Sequence, residues 1–408
     1  MIRQRKLFTA LQSHLEDKRH SIITGARQVG KTSLLRLILK QLEAEQRQVY
    51  YLTLENPVVL DAINQNPEQV FQFIAAHPQS ILEGIQKDRI FLLLDEVQYA
   101  DNPTHFLKYI YDQYERNVKI IATGSSAFYI DQKFTDSLAG RKRIFHLYPL
   151  SLEEFLDFKG AQDLLEELEL LKKQPNYQSL KRTALEQMFL EYLLYGGYPA
   201  VVLEEDFEEK KFLLSELKNA YVKRDILESG VEKEGKFYLL LQLLADQIGN
   251  LVNKNELSNI VQIDAKTIDQ YLYILQKCYH LQLIRPFYRN LRKELTKMPK
   301  CYFNDLGLRN AFLNRLSPIS QRADKGALLE NYFFLRFRAS YQMDQIKFWR
   351  TTDQKEMDFI IEEQFNEGRA IEVKWNAANF KPKKYQKFVD AYAGFELEVL
   401  SAGDFWKS

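Results

Sequence analysis

The chain has 408 residues, 46% of them hydrophobic and 27% charged, a balance that suits two or three folded domains and excludes both a disordered chain and a single small module. Its 56 Lys and Arg stand against 55 Asp and Glu, so any affinity for nucleic acid has to come from local basic faces and not from net charge. No apolar stretch reaches the roughly 18 residues that a membrane-spanning helix needs, so no membrane span is expected.

The first twenty residues, MIRQRKLFTALQSHLEDKRH, interrupt every apolar run with charge and so lack the core of a secretion signal. Cys278 and Cys301 supply neither a disulfide framework nor a metal tetrad. A cytoplasmic location is the resulting expectation. A short strand at His20 to Thr24 runs into the loop GARQVGKT and then an amphipathic helix carrying Leu34, Leu35, Leu37, Ile38 and Leu42. Strand, glycine loop and helix in that order form the context in which G-x-x-x-x-G-K-[ST] cradles phosphates with backbone N–H groups at a positive helix end. Gly25, Ala26, Arg27, Gln28, Val29, Gly30, Lys31, Thr32 and Ser33 are therefore the candidate ATP-binding residues. Lys31 reaches the outer phosphates, and Thr32 offers a hydroxyl to Mg2+.

Further along, QVYYLTLE reads as a strand ending at an acid, and RIFLLLDEVQYA as a buried strand ending in Asp95 and Glu96. Asp95 is placed to hold Mg2+ through water, and Glu96 to orient or deprotonate the water that attacks the terminal phosphate. A strand from Lys119 to Thr123 leads to Ser125, the preferred sensor of the terminal phosphate, with Thr123 behind it; either hydroxyl alternatively closes a local turn. Arg141 and Arg143 are read in two ways, as groups reaching a phosphate charge within a lid or across a subunit boundary, or as a solvated basic turn. These elements predict a three-layer α/β nucleotide-binding core over residues 1–150.

The succession GARQVGKTSLL, YLTLEN, LLLDEVQ, ATGSSA, LAGRKRIFHLYPLSLEEF and YGGYPAVV resembles the AAA-type P-loop ATPases of archaea and bacteria that end in a domain of unknown function numbered 4143, over nearly the whole chain. The resemblance implies an α/β P-loop ATPase core, a helical lid, a winged region, and a C-terminal α/β domain similar to the PD-(D/E)xK nucleases. It places Asp95 and Glu96 on the acidic strand-end motif and Ser125 on the first sensor.

Residues 151–225 carry a helical pattern, with Ser151 and Glu154 spaced as a capping box, and Gly196, Gly197 and Pro199 break it as a hinge or a tight structural turn. Residues 226–305 read as helix, turn and second helix, a winged-helix pattern. Between Arg285 and Lys300 six basic residues face one acid, Glu294, so this stretch is either a wing contacting DNA or other nucleic acid, with Tyr288 as a stacking residue, or a solvated hairpin. A protein partner is the competing expectation.

Over residues 306–408, an aromatic-rich helix carries Glu330, and the strands IKFWR, KEMDFIIE and GRAIEVKW carry Asp358, Glu372 and Lys374. The two-residue strand period puts Glu372 and Lys374 on one face. By the resemblance, EMD matches the acidic strand and IEVK the E-x-K element, although Met357 stands where the motif has proline. Asp358 and Glu372 are expected to bind a second Mg2+ or Mn2+, Glu330 to orient a water or complete the ion's outer shell, and Lys374 to stabilise the attacking water or the phosphate charge. Two functions follow: magnesium-dependent ATP hydrolysis coupled to control of a nucleic-acid-binding or nuclease-like C-terminal module, or a nucleotide-controlled regulatory or docking module whose C-terminal domain is catalytically inactive.

Overall fold

Strands covered by helices on both faces need continuous Val, Ile and Leu, whereas strands solvated on one face alternate. The computed structural model, which describes residues 3–75, 89–124, 138–174, 176–351 and 353–407, shows both kinds, divided between two compact units. The first unit comprises residues up to Tyr148 together with Lys277–Tyr279. Its elements are α1 (Lys6–Gln12), β1 (His20–Gly25), α2 (Lys31–Ala44), β2 (Val49–Thr53), α3 (Pro57–Gln65), β3 (Ile90–Asp95), α4 (Pro103–Tyr114), β4 (Val118–Gly124) and β5 (Lys142–Leu147). The five strands form one sheet in the order β2-β3-β4-β1-β5, with every pairing parallel. β1, β3 and β4 are buried at every position, as their apolar runs require, and α2 lays Leu34, Leu35, Ile38 and Leu42 against the sheet. Parallel strands put their C-terminal ends on one edge, so the loop after β1 and the acids after β3 emerge side by side.

The second unit begins with helices: α5 (Leu152–Phe158), α6 (Gln162–Lys173), α7 (Arg182–Tyr195), α8 (Pro199–Leu203), α9 (Phe207–Ser229), α10 (Glu234–Asp246), α11 (Lys254–Val261) and α12 (Ala265–Lys277), the last residue of which groups with the first unit. The capping box expected of Ser151 and Glu154 is formed at the start of α5. There follow β6 (Leu281–Pro286), α13 (Leu291–Thr296), β7 (Lys300–Phe303), α14 (Leu306–Phe312), α15 (Lys325–Ser340), β8 (Ile346–Arg350), β9 (Glu356–Gln364), β10 (Glu367–Lys374), α16 (Gln386–Ala391) and β11 (Phe395–Ser401). Their strands form a mixed sheet in the order β11-β10-β9-β8-β6-β7. β8, β9 and β10 pair antiparallel in succession, while β11 lies parallel to β10 and β6 parallel to β8.

Two features of this unit depart from a simple reading of the chain. The β6–β7 hairpin falls inside the stretch read as a winged region, yet Arg285 and Pro286 pair with Lys347 and Phe348 of β8, so the hairpin is the edge of the C-terminal sheet. The Gly196–Gly197 break is a packed junction: the buried Asp305 carboxylate accepts from Gly197 N at 2.7 Å and from Leu308 N at 2.7 Å, so one side chain caps α14 and fixes the turn after α7. Gly196 has φ 75° and ψ −161°, a conformation open essentially to glycine, and a Cβ there would come within 2.3 Å of Asp305 Oδ1. Among the described residues no helix is long and apolar enough to cross a membrane.

Candidate functional site

At the C-terminal edge of the parallel sheet, β1 ends in Gly25, which pairs with Leu147 so closely that a Cβ on Gly25 would lie 2.1 Å from the Leu147 carbonyl oxygen. The loop then places Gln28 at φ 56° and Gly30 at φ 97°, and α2 starts at Lys31. Left-handed residues in such a loop turn successive N–H groups toward one concave side, where the helix end adds its positive dipole. Lys31 is buried, and its ammonium donates to the carbonyls of Ala26 at 2.8 Å and Gly25 at 3.2 Å, folded back over the loop that it closes. Ser33 is exposed on the first turn of α2.

The acids of β3 meet this loop. Thr32 Oγ1 donates to Asp95 Oδ2 at 2.8 Å, which joins the first turn of α2 to the end of β3. Tyr51 of β2 donates to the same oxygen at 2.8 Å, and Thr123 of β4 donates to Asp95 Oδ1. Burial, reinforced by the Asp95 carboxylate, holds the Tyr51 hydroxyl well above the usual phenol range, so it serves as a proton donor. Thr123 Oγ1 also accepts from Glu96 N at 2.9 Å, and Glu96 itself sits at φ 59°, which turns its half-exposed side chain off the strand line to meet Gln98 Nε2. A hydroxyl and a carboxylate held in contact beside a phosphate loop are the hard oxygen donors that Mg2+ prefers, so Thr32 and Asp95 fit that ion.

Three residues of this edge escape a reading of local motifs. Tyr51 is one, Thr123 in its double role is another, and the third is Arg5. The buried Arg5 guanidinium donates to Val29 O inside the phosphate loop at 2.7 Å and to Tyr148 O at 2.7 Å. An arginine immediately before a helix carries no motif signal; its trace is a basic residue ahead of an apolar run. Ser125, the expected sensor, lies outside the described residues.

Arg141 does not join the phosphate site of its own chain. Its carbonyl accepts from His20 N, at the start of β1, whereas the loop begins at Gly25, roughly 16 Å farther at about 3.3 Å per strand residue. Its guanidinium is paired instead with Asp112 of α4, Nε to Oδ1 at 2.6 Å. Local sequence shows the charge of Arg141 but not this partner, and the parallel register sets it on the wrong edge.

In the second unit, Glu330 of α15, Asp358 of β9 and Glu372 of β10 do come together, but around lysines. Lys300, at the start of β7 and 1% exposed, places its ammonium 3.0 Å from Glu330 Oε1, 2.7 Å from Glu356 Oε1 and 3.7 Å from Asp358 Oδ1. Tyr302 donates to Glu330 Oε1 at 2.6 Å, and Val373 N donates to Asp358 Oδ2 at 2.8 Å. Glu372 is buried with Oε1 on Lys374, and Arg350 reaches Glu356 Oε2 at 2.8 Å. Burial raises the carboxyls of Glu330 and Glu372 above the ordinary range, with the charge of Asp358 adding to it. Burial also pulls down Lys300, but its three carboxylates outweigh that and hold it above the usual lysine range. Among the described residues no group of three or more His, Cys, Asp or Glu is arranged to hold a metal ion. The expectation of a second Mg2+ or Mn2+ thus meets a carboxylate cluster whose interior already contains a cation. Lys300 also leaves the expected basic patch, because the strand period turns it inward, while Arg285, Arg289, Arg292 and Lys297 stay exposed.

Comparison with known proteins places three family matches along the chain: an AAA domain at residues 17–156, a domain of unknown function numbered 8612 at 186–318, and the domain of unknown function numbered 4143 at 325–402. Similar proteins include an uncharacterized protein of Methanocaldococcus jannaschii, 28% identical over 77% of this chain and 67% of that one, and an uncharacterized protein of Haemophilus influenzae, 28% identical over 83% and 78%. Among solved structures, the replication initiator DnaA bound to AMPPCP and single-stranded DNA has 14% identity over 68% of this chain and 90% of that chain, with a TM-score of 0.33. The Aeropyrum pernix ORC2 protein in its ADP form has 10% identity over 78% and 95%, with a TM-score of 0.37. With the matched AAA domain laid over the phosphate loop and strand-end acids, the chain is an ATPase whose AAA domain is followed by a distinct C-terminal domain of unknown function numbered 4143.

Proposed function

We propose that the chain hydrolyses ATP with Mg2+ and that the cycle controls the C-terminal unit as a nucleic-acid-binding module. The observation that carries the first half is the 2.8 Å contact between Thr32 and Asp95 beside the buried Lys31. In this reading the loop N–H groups and Lys31 bind the phosphates, with Thr32 and Asp95 the residues that hold Mg2+. Bound there, Mg2+ neutralises charge on the outer phosphates. Glu96 takes a proton from the attacking water once its side chain leaves Gln98, and Thr123 and Tyr51 keep Asp95 in place. Ser125 is retained as the proposed sensor. Lys31→Ala is expected to weaken ATP binding, whereas Glu96→Gln is expected to keep binding and lose most turnover. A Glu96→Gln protein with wild-type turnover would refute the assignment.

For the second half, the succession α15, β8, β9, β10, α16, β11, with the last strand parallel to the third, supports a nuclease-like core. The buried Lys300 among the acids favours binding over cleavage. A groove of about 500 Å3, lined in part by Lys254, Tyr273, Arg285 and Lys297, supports a phosphate-bearing partner with room for a stacked base. Duplex or single-stranded DNA binding that weakens with salt and after Arg285→Ala with Lys297→Ala is the expected result. DNA binding unchanged by salt and by both substitutions would favour the protein-docking alternative.

A further inference from the structure

The C-terminal carboxylates are gathered from α15, β9 and β10, far apart in the chain, and the fold spends a buried lysine on them. Bringing Glu330, Glu356 and Asp358 toward one point without a cation would be strongly unfavourable, because each carboxylate loses water and gains like-charged neighbours. A divalent ion solves that problem in many proteins by drawing carboxylate oxygens to about 2.0–2.6 Å. Here the Lys300 ammonium solves it, with Glu356 and Glu330 at 2.7 and 3.0 Å and Asp358 just beyond hydrogen-bonding reach at 3.7 Å. The ammonium has three donors and a fixed charge, and its chain is tethered to β7, so unlike a metal ion it cannot dissociate.

The surroundings fit the lysine. Gly249 has φ 74°, and a Cβ there would lie 3.0 Å from Glu330 Oε1, so the glycine leaves space for the carboxylate that Lys300 and Tyr302 grip. Asp358 Oδ2 accepts from Val373 N, and its Oδ1 faces Lys300 at 3.7 Å. Glu372 gives Oε1 to Lys374, and only its buried Oε2 lacks a hydrogen-bond partner. A divalent ion would meet a positive charge already at the centre of Glu330, Glu356 and Asp358.

We infer that Lys300 is the resident cation of this cluster, standing where a divalent metal would otherwise sit, so that the C-terminal unit binds no divalent ion there and supports no metal-dependent phosphodiester cleavage. The inference is independent of ATP hydrolysis, because its test contains no nucleotide. The full chain is titrated with Mn2+ alone, followed by calorimetry and by the shift in thermal unfolding. Wild type is expected to take up no Mn2+, and to show no Mn2+-induced unfolding shift, that is sensitive to Glu330→Gln or Glu372→Ala. Lys300→Met leaves the acids uncompensated and is expected to unfold at lower temperature. It should then gain one Mn2+ equivalent, at least tenfold tighter than any wild-type uptake, that raises the unfolding temperature and disappears in Lys300→Met with Asp358→Asn. Lys300→Arg restores a fixed cation and should bind no Mn2+. A wild-type Mn2+ equivalent abolished by Glu372→Ala would overturn the inference, as would a folded Lys300→Met protein that gains no Mn2+. If Lys300→Met does not fold, the wild-type and Lys300→Arg titrations decide on the same criteria.

Discussion

Replacing Arg5 with Ala tests whether the phosphate loop is held from outside its own motif. The guanidinium makes two 2.7 Å hydrogen bonds, one to Val29 O within the loop and one to Tyr148 O after β5, and it is 6% exposed. A buried carbonyl that loses its donor costs about 1–3 kcal/mol, and the two together put the expected loss in the first unit at roughly 2–4 kcal/mol if water repays part of it. That is a large share of the roughly 5–15 kcal/mol by which domains are stable. With Val29 released, the loop must be ordered by the nucleotide, and at about 1.4 kcal/mol per tenfold the ATP dissociation constant should rise about 10- to 100-fold. Calorimetric titration with ATP and Mg2+ reads the affinity, and hydrogen exchange of the first unit's amides reads the stability. Arg5→Lys should fall between, since the compact ammonium lacks the planar fork whose Nη1 and Nη2 reach Val29 O and Tyr148 O separately. An Arg5→Ala protein with unchanged ATP affinity and unchanged exchange would refute the reasoning.

Gly196→Ala should lower the unfolding temperature of the second unit on the order of 10 °C, since the alanine must adopt a glycine conformation and its Cβ meets Asp305 at 2.3 and 2.6 Å; tryptophan fluorescence follows this, because Trp349, Trp375 and Trp406 all lie in that unit. Acid should loosen the first unit. Burial lowers His14 to about 4 and His20 to about 3, so the unfolded chain takes up protons first as pH falls below the ordinary value of 6.5. Their stability contribution is complete above that pH and is lost toward pH 3–4, by about 2 kcal/mol per histidine at pH 5. Hydrogen exchange of first-unit amides that does not accelerate, beyond its intrinsic pH dependence, between pH 7 and 5 would count against this. Asp305 in the second unit has the opposite sign: burial raises it to about 6, so the folded form holds the proton more tightly and gains stability as pH falls from about 6 toward the ordinary aspartate value.

What could be seen in the sequence was whatever is encoded by neighbours along the chain. The loop from Gly25 to Thr32, the apolar run ending in Asp95 and Glu96, and the strands bearing Asp358 and Glu372 are local patterns, and each has its expected secondary structure. The capping box at Ser151 is also local, a spacing of three residues. What was hidden depends on partners distant in sequence. Lys300 reads as one more charge in a basic run, and only the pairing of β7 turns it toward acids 30 to 58 positions away. Arg141 looks like a phosphate ligand until α4 supplies Asp112 and the β1–β5 register moves it to the far edge. Arg5 and Tyr51 have no spacing signature, because each acts through hydrogen bonds to residues met later in the chain.

The sheet of the second unit also bears on how such chains can be cut and joined. The family match numbered 8612 ends at residue 318 and that numbered 4143 begins at 325, yet β6 and β7 on one side of this gap complete the sheet begun by β8 on the other. A fragment starting at residue 325 would expose the flank of β8 and strand Glu330, Glu356 and Asp358 without their lysine. Two labels therefore cover one folded sheet, and a cut that transplanted the later part alone would deliver an unsatisfied edge and an unbalanced charge to its new host.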